Sequence, residues 1–328
     1  MRRPVTINTV IVIKSDSLLL VMINRNIMKR LKQGLKILSL TFVLLICFMI
    51  AGMLVNVGGE TSGDPVTSLL ALLVLCFVDS LVLAYMIIHS RWSGLKLTAT
   101  VFFVFYGIAT FMTLIEAVFF DVSIPRGELI NLFIMNALVI GMFSPLAVLI
   151  LGKMKKEPLT EEENLRLIMP AQEWILKFAM IIVFYVFIYL TFGYFILWQS
   201  ASLREFYQIV EVSGYFSHTF SVLTSSTKLI FFQMFRAVIW VILALPVIRM
   251  MKGEMYKTGF TVGLLFAVLM CAQLLLPNPY MPFAVRMAHF VETVPSNFIF
   301  GWLVVWLFNR HHRLWNDLIK SFSLKNEF

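Results

Sequence analysis

Apolar residues in this chain come in eight long runs separated by short polar stretches, at about 35–57, 66–89, 95–120, 130–151, 174–198, 228–250, 258–276 and 294–308. A helix rising 1.5 Å per residue needs about 20 such residues to cross roughly 30 Å of hydrocarbon. All but the last run meet or approach that length, and residues 291–294 extend the last. Backbone groups in lipid find partners only inside helices or closed barrels. The alternating ten-residue pattern of a barrel strand is missing. The pattern therefore predicts an all-α, polytopic integral membrane bundle of about eight transmembrane helices, with short interfacial helices outside.

The polar stretches divide the rest. Residues 1–27 hold apolar runs split by Lys14 and Asp16, each too short to span, and Met28 opens the basic segment Lys29-Arg30-Leu31-Lys32. The expected native start is Met28, with 1–27 an N-terminal extension or tail, 28–309 the bundle and 310–328 a cytoplasmic amphipathic tail. In that tail Trp315, Leu318, Ile319 and Phe322 form the lipid-facing stripe. Thr160 with Glu163 has the form of a helix capping box, and so does Ser202 with Glu205. After the second, Leu203, Phe206, Tyr207 and Val210 form a helical stripe that Gly214 should stop. That predicts one short helix lying on the outer surface.

Composition agrees with the runs. Hydrophobic residues make up 60% and charged residues 14%, against about 45–50% and 25% in ordinary globular chains. Mean hydropathy is +0.88. The net charge of +9 does not indicate nucleic acid, because the basic residues sit in alternate loops. Eighteen Lys and Arg fall on the side of Lys29 and four (Arg126, Arg204, Lys228, Arg286) on the other. Positive residues stay inside, so both termini are expected in the cytoplasm. Short loops and no targeting signal point to a plasma membrane, the bacterial inner membrane. Cys47, Cys76 and Cys271 all lie in apolar runs, without the spacing of a disulfide frame or thiolate metal site. The chain has no H-E-x-x-H, G-x-S-x-G or P-loop, and its loops are too small for an ATPase domain.

Candidate chemistry rests on the few polar groups at membrane depth, where a charge costs about 2.5–3.5 kcal/mol. Asp79 falls midway along the second run. Tyr106, Thr110, Thr113 and Glu116 step along one face of the third, towards its outer end. Arg236, with Gln233 one turn before it, lies at similar depth in the sixth, and Glu116 is its expected partner. Tyr185, Tyr189 and Gly193 read as close packing in the fifth. Pro277, Pro279, Pro282 and Pro295 bracket a segment that should form a separate outer helix carrying Arg286, His289 and Glu292. His289 and Glu292 could act as an acid–base pair. They supply two metal ligands, which do not make a site.

Three functional classes fit. The first is a permease for a small solute or ion, using Glu116, Arg236, Asp79, Tyr106, Thr113 and Arg286 as ligand-binding groups. The second is an outer-leaflet enzyme acting on a lipid or lipid-linked substrate through His289 and Glu292. The third is a non-catalytic partner subunit. No cofactor is indicated.

Overall fold

The computed structural model describes residues 7–55, 64–122, 124–155, 167–209 and 212–310, with side chains from residue 27 onward except that of residue 30. The capping box at Thr160 and Glu163 and the amphipathic tail at 310–328, beyond Arg310 itself, lie outside these residues. Among the described residues the protein is 84% helical. Its helices are α1 (Ile7–Leu54), α2 (Pro65–Ile88), α3 (Gly94–Tyr106), α4 (Thr113–Phe119), α5 (Arg126–Ile150), α6 (Ala171–Phe192), α7 (Ala201–Phe206), α8 (Tyr215–Ser225), α9 (Thr227–Met250), α10 (Met255–Cys271) and α11 (Phe283–Asn309). A π-helical segment, Gly107–Met112, joins α3 to α4, and another, Gly193–Leu197, extends α6.

Eight helical segments among the described residues are long and apolar enough to cross a membrane: Ile27–Leu54, Pro65–Ile88, Gly94–Phe119, Arg126–Ile150, Ala171–Leu197, Thr227–Met250, Met255–Leu275 and Phe283–Asn309. Their outward faces carry large apolar side chains such as Phe42, Leu70, Phe187 and Phe235. On a water-soluble protein such continuous apolar surface would drive aggregation. Here it is the surface that meets lipid, and the chain is a multi-pass membrane protein.

Apolar side chains gain little by leaving lipid for a protein interior, so close packing and polar contacts must hold such helices together. The tightest pair is α10 and α11. A Cβ on Gly301 would lie 2.8 Å from Gly263 Cα, and one on Gly263 would lie 2.9 Å from the Phe298 carbonyl. Gly259 and Gly263 form the G-x-x-x-G spacing that lets two backbones touch. Around this pair Trp240, Phe266 and Phe300 are fully or almost fully buried.

The helices alternate between two ends. Backbone bonds Arg91 N to Met250 O (2.7 Å), Lys252 N to His89 O (2.9 Å) and Gly94 N to Lys153 O (2.8 Å) tie the turns of one end, which carries most of the described Lys and Arg. We call it the basic end. There Lys177, which is fully buried, bridges α6 to α11: its Nζ donates to Glu173 at 2.8 Å and to the Arg310 carbonyl at 2.8 Å.

Several expectations change at the opposite end. The segment carrying Arg286, His289 and Glu292 is not a separate helix, and the eighth span does not begin at 294. Both belong to α11, which runs unbroken through Pro295. A proline at 295 frees the carbonyl of Val291 four residues earlier, and such a helix is tolerated inside a span where the surrounding bundle, not water, meets the backbone; one turn on, Ser296 Oγ donates to the Thr293 carbonyl at 3.1 Å. The surface helix after Ser200 is short. It ends at Phe206 because Gln208 turns left-handed (φ 56), and Ile209 N bonds back to Arg204 O at 2.8 Å in a Schellman closure. Ser202 does not begin it; Ser200 is the N-cap. A second surface helix, α8, follows, where the sequence suggested loop.

Candidate functional site

The π segment Gly107–Met112 decides where Glu116 points. π turns occur mostly as single insertions in α-helices, often at functional sites. This one breaks the expected polar stripe. Before it, Tyr106 faces α5, with its hydroxyl 3.4 Å from the Phe133 carbonyl and its ring stacked on Phe102. After it, Thr113 faces the end of α10, accepting a hydrogen bond from Gln273 Nε2 and donating to Met270 Sδ. Glu116, one turn on, reaches α9.

There it meets Arg236 in a bidentate ion pair, Nη1 to Oε1 at 2.7 Å and Nη2 to Oε2 at 2.8 Å. Planar fork-to-fork pairing is the strong form of this interaction. Gln233 Oε1 accepts from the same Nη1 at 3.2 Å. The guanidinium is buried over the rings of Phe232 (5.8 Å) and Tyr185 (6.0 Å). The Glu116 side chain keeps 30% of its surface exposed, against 4% for Arg236. The pair thus has a covered cation and an accessible anion. Arg236 Nε and Gln233 Nε2, both buried, have no hydrogen-bond acceptor.

Other helices close round this pair. From α11 the buried Glu292 accepts from Thr293 Oγ1 at 2.7 Å and lies within electrostatic range of both Arg236 and Glu116. From α6 come Tyr185 and Tyr189, both within range of the same charges. Tyr185 accepts from Trp240 Nε1 at 3.3 Å. His289 is half-buried and its Nε2 lies 3.3 Å from the Tyr207 hydroxyl, just beyond α7. Burial raises the pKa of the Tyr207 phenol, and the Glu116 charge raises it further. Leu203, fully buried, anchors α7 on the bundle.

Comparison with models of protein families, with characterised proteins and with solved structures gave no match.

The remaining sequence candidates stand apart. Asp79 is buried midway along α2, with its Oδ1 lacking a hydrogen-bond partner and Cys76 as its electrostatic neighbour. Its helix packs on α1 and α10. Arg286 is buried, and its Nη1 donates to the Leu274 carbonyl at 3.1 Å and to the Leu276 carbonyl. It satisfies carbonyls at the end of the 3-10 turn Ala272–Leu275, a capping role. His289 and Glu292 share a helix but engage different partners. Gly193 is not a packing point either, since a Cβ there would meet nothing within 4 Å. Among the described residues no three His, Cys, Asp or Glu come together as metal ligands. An open apolar depression of about 310 Å³, lined by Phe48, Leu72, Met135 and Leu276 among others, lies away from the ion pair.

Some participants were not singled out in the sequence. Gln273 carries no pattern that sets it apart, and Tyr207 reads only as part of the apolar surface stripe with Leu203 and Phe206. Lys177 reads as a loop charge, although Glu173 four residues earlier on the same helix was an available signal.

Proposed function

We propose that this chain is a permease for a small solute or ion, with the Glu116–Arg236 pair as the element that couples binding to opening. The observation that carries this reading is the asymmetry of the pair: a covered guanidinium held bidentately by a carboxylate that is 30% exposed. In a low-dielectric interior such a pair is strong, and removing one member leaves a costly buried charge. A proton or cationic group arriving at Glu116 competes with Arg236 for the carboxylate. Binding and helix rearrangement are then one equilibrium, because Glu116 and Arg236 belong to different spans. Charged groups inside spans mark ion and proton pathways in general. The excess of Lys and Arg at the basic end supports a reading with that end in the cytoplasm of a plasma membrane and the cluster towards the opposite face.

The test is uptake in proteoliposomes. Pools of labelled amino acids, sugars, nucleosides and organic ions are offered with and without an imposed pH gradient. Gradient-dependent uptake that Glu116→Gln abolishes and Glu116→Asp partly keeps is the expected result. Uptake in Glu116→Gln equal to that of the parent protein, still driven by the gradient, refutes the coupling role. An absence of uptake from every pool refutes the permease reading. The enzyme reading lacks the direct His289–Glu292 contact that an acid–base pair would favour.

A further inference from the structure

We infer that Glu292 is the second partner of Arg236, so that two carboxylates on different helices compete for one guanidinium. A guanidinium has two edges that can take a carboxylate, one formed by both Nη groups and one that includes Nε. Glu116 takes the first. On the second, Arg236 Nε has no acceptor, and neither does the neighbouring Gln233 Nε2. These donors are buried, and buried donors without acceptors are rare in native structures.

Glu292 supplies the missing chemistry. It is buried on α11, held by the hydroxyl of Thr293, and Arg236 is the cation within electrostatic range of it. α11 packs against both α6 and α9. The other ionisable groups that act on Glu292 or lie beside it are Glu116, Tyr185, Tyr189, Cys271 and His289. None of them is a permanent cation. The cluster therefore has two carboxyls and one arginine, and loss of Glu116 from the pair need not strand the guanidinium. Arg236 transfers to Glu292, drawing α9 towards α11. The exchange stands on this geometry whether or not the chain carries a solute. Where it does, the exchange is the step that frees Glu116.

A double-mutant cycle in detergent tests it. Thermal unfolding is followed for Glu116→Gln, Glu292→Gln and the double variant, in the parent and in an Arg236→Gln background. The double variant should lose about 2–4 °C more than the two single losses together, and the excess should vanish without Arg236. Additive losses overturn the inference, as does an excess that persists in the Arg236→Gln background. Should the double variant fail to fold, an experimental structure of Glu116→Gln decides. Arg236 within hydrogen-bond distance of Glu292, about 3 Å, supports the exchange, and Arg236 still directed at residue 116 overturns it. Neither measurement uses transport, so a failed uptake assay and a failed exchange are separate results.

Discussion

Three glycines give a graded test of how the bundle is held together. Each is replaced by alanine, so each variant adds one methyl group. Each also gains a similar helix-propensity benefit, about 1 kcal/mol in water. What differs is the space. At Gly301 the new Cβ would lie 2.8 Å from Gly263 Cα and 2.9 Å from Gly263 N, both backbone atoms of a helix that cannot swing aside. Carbon atoms rest at about 3.5–4.0 Å, so α10 and α11 must separate by the difference. At Gly107 the Cβ would meet Leu243 Cδ2 at 2.3 Å, a severe overlap with the far end of a flexible side chain. At Gly193 it would meet nothing within 4 Å. Overpacking costs about 1–3 kcal/mol, and about 2–4 °C of melting temperature per kcal/mol in domains of 150–250 residues. Gly301→Ala should therefore lose several degrees in a thermal scan of the detergent-solubilised protein. Gly107→Ala should lose less, and Gly193→Ala should lose nothing or gain slightly. Separation at Gly301 would also stretch the bond from Asn297 Nδ2 to the Phe266 carbonyl, already 3.4 Å. Gly301→Ala melting with or above Gly193→Ala would refute the claim that backbone contact holds α10 to α11.

Two further predictions concern ionisable groups. Lys177→Met removes the charged hydrogen bonds to Glu173 and to the Arg310 carbonyl at the basic end and should cost about 1.5–3 kcal/mol, read by chemical or thermal unfolding in detergent. Adding Glu173→Gln should recover much of the loss, and no recovery would mean that Lys177 acts through the Arg310 carbonyl alone. His218, on α8, has its pKa lowered from 6.5 by burial. A lowered histidine binds fewer protons folded than unfolded, so its contribution is complete above pH 6.5 and is lost as pH falls through the folded pKa. Acidification from about pH 7.5 to 5.5 should lower the melting temperature. His218→Gln should flatten that slope, and an unchanged slope would assign the acid sensitivity elsewhere.

Much of the site is legible in the sequence, because membrane depth is itself a coordinate. Glu116 stands near the far end of its run and Arg236 a similar distance into its own, so two charges at one level in lipid should seek each other. That argument needs only rise per residue and the cost of an unpaired ion. It could not supply the azimuth. Tyr106 and Thr113 share a face at 3.6 residues per turn, and the π segment between them removes that shared face. No local propensity marks a π turn, which forms where packing repays the poorer hydrogen bonding. Pro295 misled in the opposite sense. Proline is a strong breaker in water, where freed carbonyls are readily solvated, but inside a bundle the rest of the backbone has no partner outside the helix, and the helix runs on through it.

The apolar runs alone determined that this is an all-α membrane bundle of about eight spans, since lipid offers the backbone no other partner. Composition and the scarcity of charge determined which side chains were worth following. Only the tertiary structure decided that Glu292 lies buried within electrostatic range of Glu116 and Arg236, that Arg286 is spent on carbonyls, that Asp79 stays apart and that Lys177 clamps two helices. The physical reason is rotational: sequence fixes how deep a residue sits, while the direction it faces is fixed by contacts such as Gly263 on Gly301, made between helices far apart in the chain.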